Sequence, residues 1–178
     1  MLLINLKEQT TITCNWQKSN KFVEAGRFYP LLAITKNNLN RIMLNTEYLT
    51  RCIETLEKSC ACIKKLQEGS VDYEMFRNSL VKSFEITLEQ SGKLLRKYLA
   101  QYYASKKIVD GFTFKDLFRE AHKHSLMTED EVKRWFMYRD NRNNTAHDYG
   151  KAFEEETLKL MDNFFKDVYH LKEIIEHE

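Results

Sequence analysis

The sequence predicts an all-α fold, a bundle of four to five helices, and three observations carry that prediction. Of 178 residues only Pro30 is proline and five are glycine, so there are few points at which a helix must stop. From Glu47 onward, apolar residues recur at threes and fours, the spacing of one helix face. One such stretch runs for about 30 residues, roughly 45 Å at 1.5 Å per residue. A helix of that length needs long partners to cover its apolar stripe.

The elements follow in order. Residues 1 to about 45 mix Thr, Asn, Lys and scattered aromatics (Trp16, Phe22, Phe28, Tyr29) without a sustained period. Thr11–Cys14 reads as a short strand and residues 31–44 as a helix, within an extension of undefined fold. Met43 offers an alternative start. The bundle is expected over 46–178. Leu49, Cys52, Ile53, Leu56, Cys60, Ile63 and Leu66 define its first amphipathic helix, which Gly69-Ser70 is expected to end. The long second helix begins near Asp72, with Phe76, Leu80, Phe84, Leu88, Leu95 and Leu99 on one stripe. Asp110-Gly111 marks a turn. Thr113 with Asp116, and Thr128 with Glu131, have the spacing of capping boxes and open two further helices. Phe114, Leu117, Phe118 and Ala121 face inward from one; Val132, Trp135, Phe136 and Arg139 share a face of the other. Gly150 interrupts. A last helix starts near Ala152 and carries Phe153, Leu160, Phe164, Val168, Leu171 and Ile175.

The bulk numbers narrow the function classes. A formal net charge of +2 gives no global field for nucleic acid, so such a site needs local clustering. Lys133, Arg134, Arg139 and Arg142 offer one cluster, which also reads as a solvated helix face. Cys14, Cys52, Cys60 and Cys62 lack zinc-finger spacing, and Cys52 and Cys60 fall on apolar positions, as small core residues in a reducing compartment. No apolar run reaches the length of a membrane span, and Met1–Ile4 is too short for the core of a signal peptide. The expectation is a cytoplasmic protein without a membrane partner. A Gly-Ser turn with paired Asp-x-Asp and a Gly-x4-Gly-Lys loop are both missing from the sequence, so nucleotide chemistry falls to a partner.

Chemistry concentrates in Arg142-Asn143-Asn144-Thr145-Ala146-His147-Asp148-Tyr149. An obligate cation and a base that titrates near neutral pH suffice to cleave a ribose–phosphate backbone without metal or other cofactor. Neutral His147 takes the proton from a ribose 2′-hydroxyl, that oxygen attacks the adjacent phosphorus, and Arg142 neutralises the growing charge. Asn143 orients the imidazole or the phosphate. On an ideal helix, positions 142 and 147 lie roughly 140° apart. Either the helix distorts near Asn144-Thr145, or two copies of the chain bring the groups together across a two-fold axis. The same residues also read as a surface arginine and a histidine capping a helix end.

Arg142-Asn143-x3-His147-x-Tyr149 resembles the Arg-x4-6-His motif of the HEPN superfamily, and in particular its Arg-x4-His-x-Tyr branch. Members of that branch pair with a minimal nucleotidyltransferase (MNT) and are called nucleotidyltransferase substrate-binding proteins. Phe84–Glu89 with Lys93 and Tyr98-Leu99 resembles the branch's second helix, Phe118–Ala121 with Leu126 its third, and Trp135 also fits. The resemblance spans roughly residues 47–178. It implies an up-and-down antiparallel homodimeric bundle and an endoribonuclease toxin of a toxin–antitoxin pair. Arg142, His147 and Asn143 are then the catalytic set. Tyr149 is then the tyrosine that the cognate nucleotidyltransferase antitoxin modifies with AMP. A bulky anion two residues from the base would block the RNA groove. Residues 1–45 depart from the family pattern.

Other residues read as structural. His122 and His124 lack a third ligand on their face, and His170 and His177 face solvent or a dimer partner. Glu85 and Glu89 are expected to pair with Lys82 and Lys93. Tyr98, Tyr102 and Tyr103 are expected to pack or sit at an interface, and Trp135 to anchor the core. Glu154–Glu156 would repel RNA and suits a helix N-terminus. Three functions compete: a metal-independent endoribonuclease, a non-catalytic substrate-binding subunit of a two-component nucleotidyltransferase, and a bundle that only dimerises.

Overall fold

The computed structural model describes residues 44–145 and 151–177, with their side chains apart from those of 144–145 and 151–155. The strand and helix expected before residue 44, and the break at Gly150, lie outside the described residues. Within them the architecture is all-α: α1 (Glu47–Ile63), α2 (Val71–Leu99), a 3-10 turn (Ala100–Tyr102), α3 (Lys106–Asp110), α4 (Phe114–Lys123), α5 (Glu129–Thr145) and α6 (Lys151–His177). No helix among the described residues is long and apolar enough to cross a membrane.

Local chemistry sets most of the boundaries. α1 stops at Ile63, earlier than the glycine signal suggested. Gly69 instead takes the left-handed conformation (φ 82°) that turns the chain, and Ser70 N-caps α2 by accepting from the Tyr73 amide. Both capping boxes form. Thr113 and Asp116 exchange bonds at the start of α4, and Thr128 and Glu131 do so at the start of α5. α3 has no sequence period long enough to reveal it. Arg96, near the end of α2, secures it by donating to the carbonyls of Val109 and Phe112.

The helices run up and down, and cross-links fix their register. Thr46, at the start of α1, donates to Glu176 at the end of α6, and Tyr169 donates to Glu57. α5 and α6 are likewise antiparallel, joined by Glu131–His170, Arg134–Asp167 and Asn141–Thr157. The core gathers the predicted stripes, and its largest fully buried members are Trp135, Tyr138, Phe84, Phe118 and Phe164. Burying each such ring contributes about 1.5–3 kcal/mol. Phe118 stacks on Trp135 at 4.5 Å between centroids, while Phe84 meets Phe164 edge-on at 4.8 Å.

α2 also buries a file of small polar residues, Ser83, Thr87 and Ser91. The hydroxyls of Thr87 and Ser91 donate to carbonyls one turn back on their own helix (2.7 and 2.8 Å). One turn before this file, the Ser79 hydroxyl reaches across to α1 and meets that of Ser59 at 2.9 Å.

Candidate functional site

α5 carries both the strongest structural anchors of the bundle and the arginine of the predicted motif. Its first half is tied from several sides. Arg134 donates from Nε (2.7 Å) and Nη2 (2.6 Å) to Asp167, and the Tyr138 hydroxyl donates to the same carboxylate at 2.7 Å. Asp167 is 3% exposed, so these charge-assisted bonds offset the cost of stripping its water. Burial and the adjacent carboxylate push the Tyr138 phenol far above its usual range, keeping it a neutral donor. Burial opposes ionisation of Glu131, yet its bonds from the Thr128 amide and hydroxyl and from His170 hold the carboxyl below its ordinary value.

In the second half of α5, Arg142 lines a cleft of about 240 Å³ beside α2. Lys82, Glu85, Glu89 and Lys93 of α2 line one wall, Arg142 lines the other, and Tyr48 of α1 and Ile86 add apolar surface. Arg142 is half-buried, with Nε 3.8 Å from Glu89 Oε1. Arg139, one turn earlier, donates to that same oxygen at 2.5 Å, and its guanidinium lies 5.0 Å from the centre of the Phe114 ring. Phe114 reaches this position because Gly92 has no side chain: a Cβ there would come within 2.9 Å of the ring. Asn143 is exposed on the next step of the helix.

The sequence expectations fare unevenly. Arg142 lines the cleft, and α5 is α-helical through Thr145, the last described residue before Lys151. His147 and Tyr149 fall outside the described residues. The Lys133–Arg142 group forms no shared basic patch. Lys133 pairs with Glu129, Arg134 with Asp167, and Arg139 with Glu89, whose oxygen Arg142 also approaches. Glu85 takes Lys82 as expected (3.3 Å), but Glu89 takes Arg139 of another helix in place of Lys93. An arginine across the helix interface offers a fork that a lysine on the same exposed face does not.

The remaining candidates settle into structure. His122 Nδ1 meets the Met127 carbonyl at 2.9 Å, His124 stacks on Tyr102 at 4.2 Å, and His170 Nδ1 meets Glu131 at 2.5 Å. Tyr98 is buried, and Tyr103 donates to Glu120 at 2.5 Å. Burial and that bond push the Tyr103 phenol up to about 12. Cys52 and Cys60 are buried, and burial raises both thiols above their ordinary value, as suits unreactive core residues. Sequence reasoning missed Asp167, Tyr138 and the Glu89–Arg139 link. The first two lie on the inward stripes of α6 and α5, and a carboxylate amid such a stripe is a signal for a buried partner.

Comparison with known proteins bears on what this arrangement serves. The model of a family described as nucleotidyltransferase substrate binding protein like matches residues 44–177. A probable ribonuclease HepT of Haemophilus influenzae is 26% identical over 125 residues, covering 68% of this chain and 84% of that protein. Among solved structures, HI0074 of Haemophilus influenzae is similar with a TM-score of 0.65 at 25% identity, over 74% of this chain and 98% of that one. Its structure is described as revealing the fold of a substrate-binding domain of a nucleotidyltransferase. A Thermus thermophilus protein shares the fold, with a TM-score of 0.52 at 22% identity, covering 68% of this chain and 99% of that one.

Proposed function

This chain belongs to the nucleotidyltransferase substrate-binding-protein-like family, of the MNT–HEPN type, and from that premise we propose that it is a metal-independent endoribonuclease, the toxin of a HEPN/MNT toxin–antitoxin pair. The observation that carries this reading is the position of Arg142. Its guanidinium lines a cleft with Lys82 and Lys93, and the Arg-x4-His-x-Tyr motif that it begins is complete in the sequence. The relative named as a probable ribonuclease supports the same class of activity.

In the proposed reaction, neutral His147 accepts the proton of a ribose 2′-hydroxyl. The O2′–phosphorus bond forms as the phosphorus–O5′ bond breaks, and O5′ takes a proton from water to leave as a 5′-hydroxyl, while His147 returns the proton it accepted to the solvent. The other product end is a 2′,3′-cyclic phosphate. Arg142 meets the non-bridging oxygens as they gain charge, and Asn143 orients the phosphate or the imidazole. The site is completed by two copies, with the arginine of one serving the histidine of the other across a two-fold axis. A cognate nucleotidyltransferase would silence the site by transferring AMP from ATP to the Tyr149 hydroxyl, releasing pyrophosphate and setting an anion beside the base.

The family's description favours a second reading, a non-catalytic subunit whose cleft presents a substrate to a nucleotidyltransferase. One assay separates the two. Unmodified protein, confirmed by intact mass, is incubated with RNA in EDTA beside His147→Ala and Arg142→Ala. The nuclease reading expects cyclic-phosphate ends from wild type and a loss of about 10²–10⁴-fold for His147→Ala. Wild-type protein that leaves RNA intact, or variants that cut equally well, would select the binding subunit. After incubation with the partner enzyme and ATP, a mass gain of AMP that Tyr149→Phe abolishes is expected. A gain that persists in that variant rules Tyr149 out as the modified residue.

A further inference from the structure

The cleft holds an arrangement that the Arg–His motif does not account for. Glu89 offers one carboxylate oxygen to two arginines of α5, set unequally: 2.5 Å from Arg139 Nη1 and 3.8 Å from Arg142 Nε. A carboxylate in a wall that receives phosphate is a competitor for the cation that phosphate needs. Left to itself, Glu89 could make a forked pair with Arg142 and occupy the place of the substrate anion.

The surroundings of Arg139 bear on which arginine Glu89 takes. Gly92 opens the space that the Phe114 ring fills, and that ring lies against the Arg139 guanidinium at 5.0 Å. The cation is 25% exposed, held between an aromatic face and the carboxylate. Three helices contribute: α2 gives Gly92 and Glu89, α4 gives Phe114, and α5 gives Arg139. Glu89 forms its ion pairs with Arg139 and Arg142, both of α5.

We infer that Arg139 and Glu89 are positioning residues that tune the anion affinity of Arg142, Arg139 taking the closer bond to the shared Glu89 oxygen and so weakening the hold of that carboxylate on Arg142. This rests on the cleft being the RNA site proposed above. Removing Arg139 releases Glu89 toward Arg142, so affinity falls by more than one lost charge explains. Removing Glu89 as well restores it. A purely architectural pair predicts the opposite, that each loss damages the site and that the double loss rescues nothing.

The test is a double-mutant cycle on full-length protein. The probe is a fluorescent 2′-O-methyl oligoribonucleotide, which lacks the hydroxyl needed for cleavage, so binding is read without turnover. Wild type, Arg139→Gln, Glu89→Gln and the double variant are titrated by anisotropy, with thermal melts beside each. The expected order is Glu89→Gln tighter than wild type by roughly threefold, Arg139→Gln weaker by about tenfold, and the double variant at least as tight as wild type. Independent effects would leave the double variant about threefold weaker, and the difference, about threefold or more, is the coupling between the two residues. Should Arg139→Gln fail to fold, Arg139→Lys keeps the charge without the fork, and the same rescue by Glu89→Gln is expected.

A double variant about threefold or more weaker than wild type, the additive result, overturns the inference, as does weaker binding by Glu89→Gln at unchanged melting temperature. Either result leaves the RNA site standing if wild type binds. A wild type that binds no RNA overturns both the site and the role given to this pair.

Discussion

The two halves of α5 are built to different ends. From Glu129 to Tyr138 the helix is over-determined, with a capping box at its start, a doubly bonded arginine, and Trp135 and Tyr138 fully buried. From Arg139 to Asn143 the roles divide: Arg142 lines a cleft, Asn141 is buried against Thr157 of α6, and one carboxylate answers two guanidiniums. A single rigid rod joins the two. The lesson is that a cleft cation can be aimed by packing a turn or two away, where the core tolerates no movement, while the cation itself keeps the partial exposure that binding needs.

Substitutions can break this division or sharpen it. The largest effect is expected at Trp135, where replacement by alanine empties the centre of the aromatic cluster and should cost about 3–5 kcal/mol in a denaturant titration. Cleavage should then fail only because folding does. Asp167→Asn comes next. It leaves a buried amide before Arg134, which is itself about a third exposed, and Tyr138. About 2–3 kcal/mol is expected, discounted for the water that reaches the arginine. Activity retained in the surviving folded fraction would confirm that this end anchors rather than reacts.

Gly92→Ala crosses the division. The added methyl meets Phe114 and costs about 1–2 kcal/mol through overpacking. Its effect on RNA binding should exceed that of Asp167→Asn, because the displaced ring backs Arg139. If binding is unchanged while the melting temperature falls, Phe114 serves only the core. Thr128→Ala removes a cap and should cost about 1 kcal/mol without touching binding.

The smallest expected effect is pH-dependent. The Glu131 carboxyl is held below its unfolded value, so its contribution is complete above the ordinary carboxylate pKa of about 4.3 and fades as pH falls through the lower folded value. Glu131→Gln should lower stability at neutral pH and flatten that part of the acid dependence. Equal slopes for the two proteins on the acid side would remove the assigned role.

Much of the helical frame was legible in the sequence because it rests on local rules. Thr113 with Asp116 and Thr128 with Glu131 announce helix starts within four residues, and the stripe from Leu80 to Leu99 has only one way to be covered. Gly69-Ser70 was harder. The pair marks the beginning of α2 rather than the end of α1: the helix stops at Ile63, before the Leu66 that continues its apolar spacing, and the turn comes later. α3 is a single turn, held by Arg96 across a gap in sequence that no periodicity spans.

The site was legible in part. Arg142 stood out through its spacing from His147, a relation within one segment. Glu89 did not, because its partner lies fifty residues away and Lys93 offered a nearer explanation. Arg134 and Asp167 escaped for the same reason. Both are charged, and only the packing of α5 on α6 shows that their charges meet. Tertiary ion pairs follow from the register of helices, which motif spacing does not encode.

The buried hydroxyls of α2 carry a last consequence. Thr87 and Ser91 satisfy their hydrogen-bonding needs within their own helix, so these two hydroxyls do not fix the axial position of α2. Alignment between α1 and α2 then depends on interlocking hydrocarbon and on the bridge from Ser59 to Ser79. A protein built this way should accept alanine at Thr87 or Ser91 and keep its outline. Its vulnerability would be to sliding: α2 moving lengthwise by a fraction of a turn would carry Glu89 out of line with both arginines.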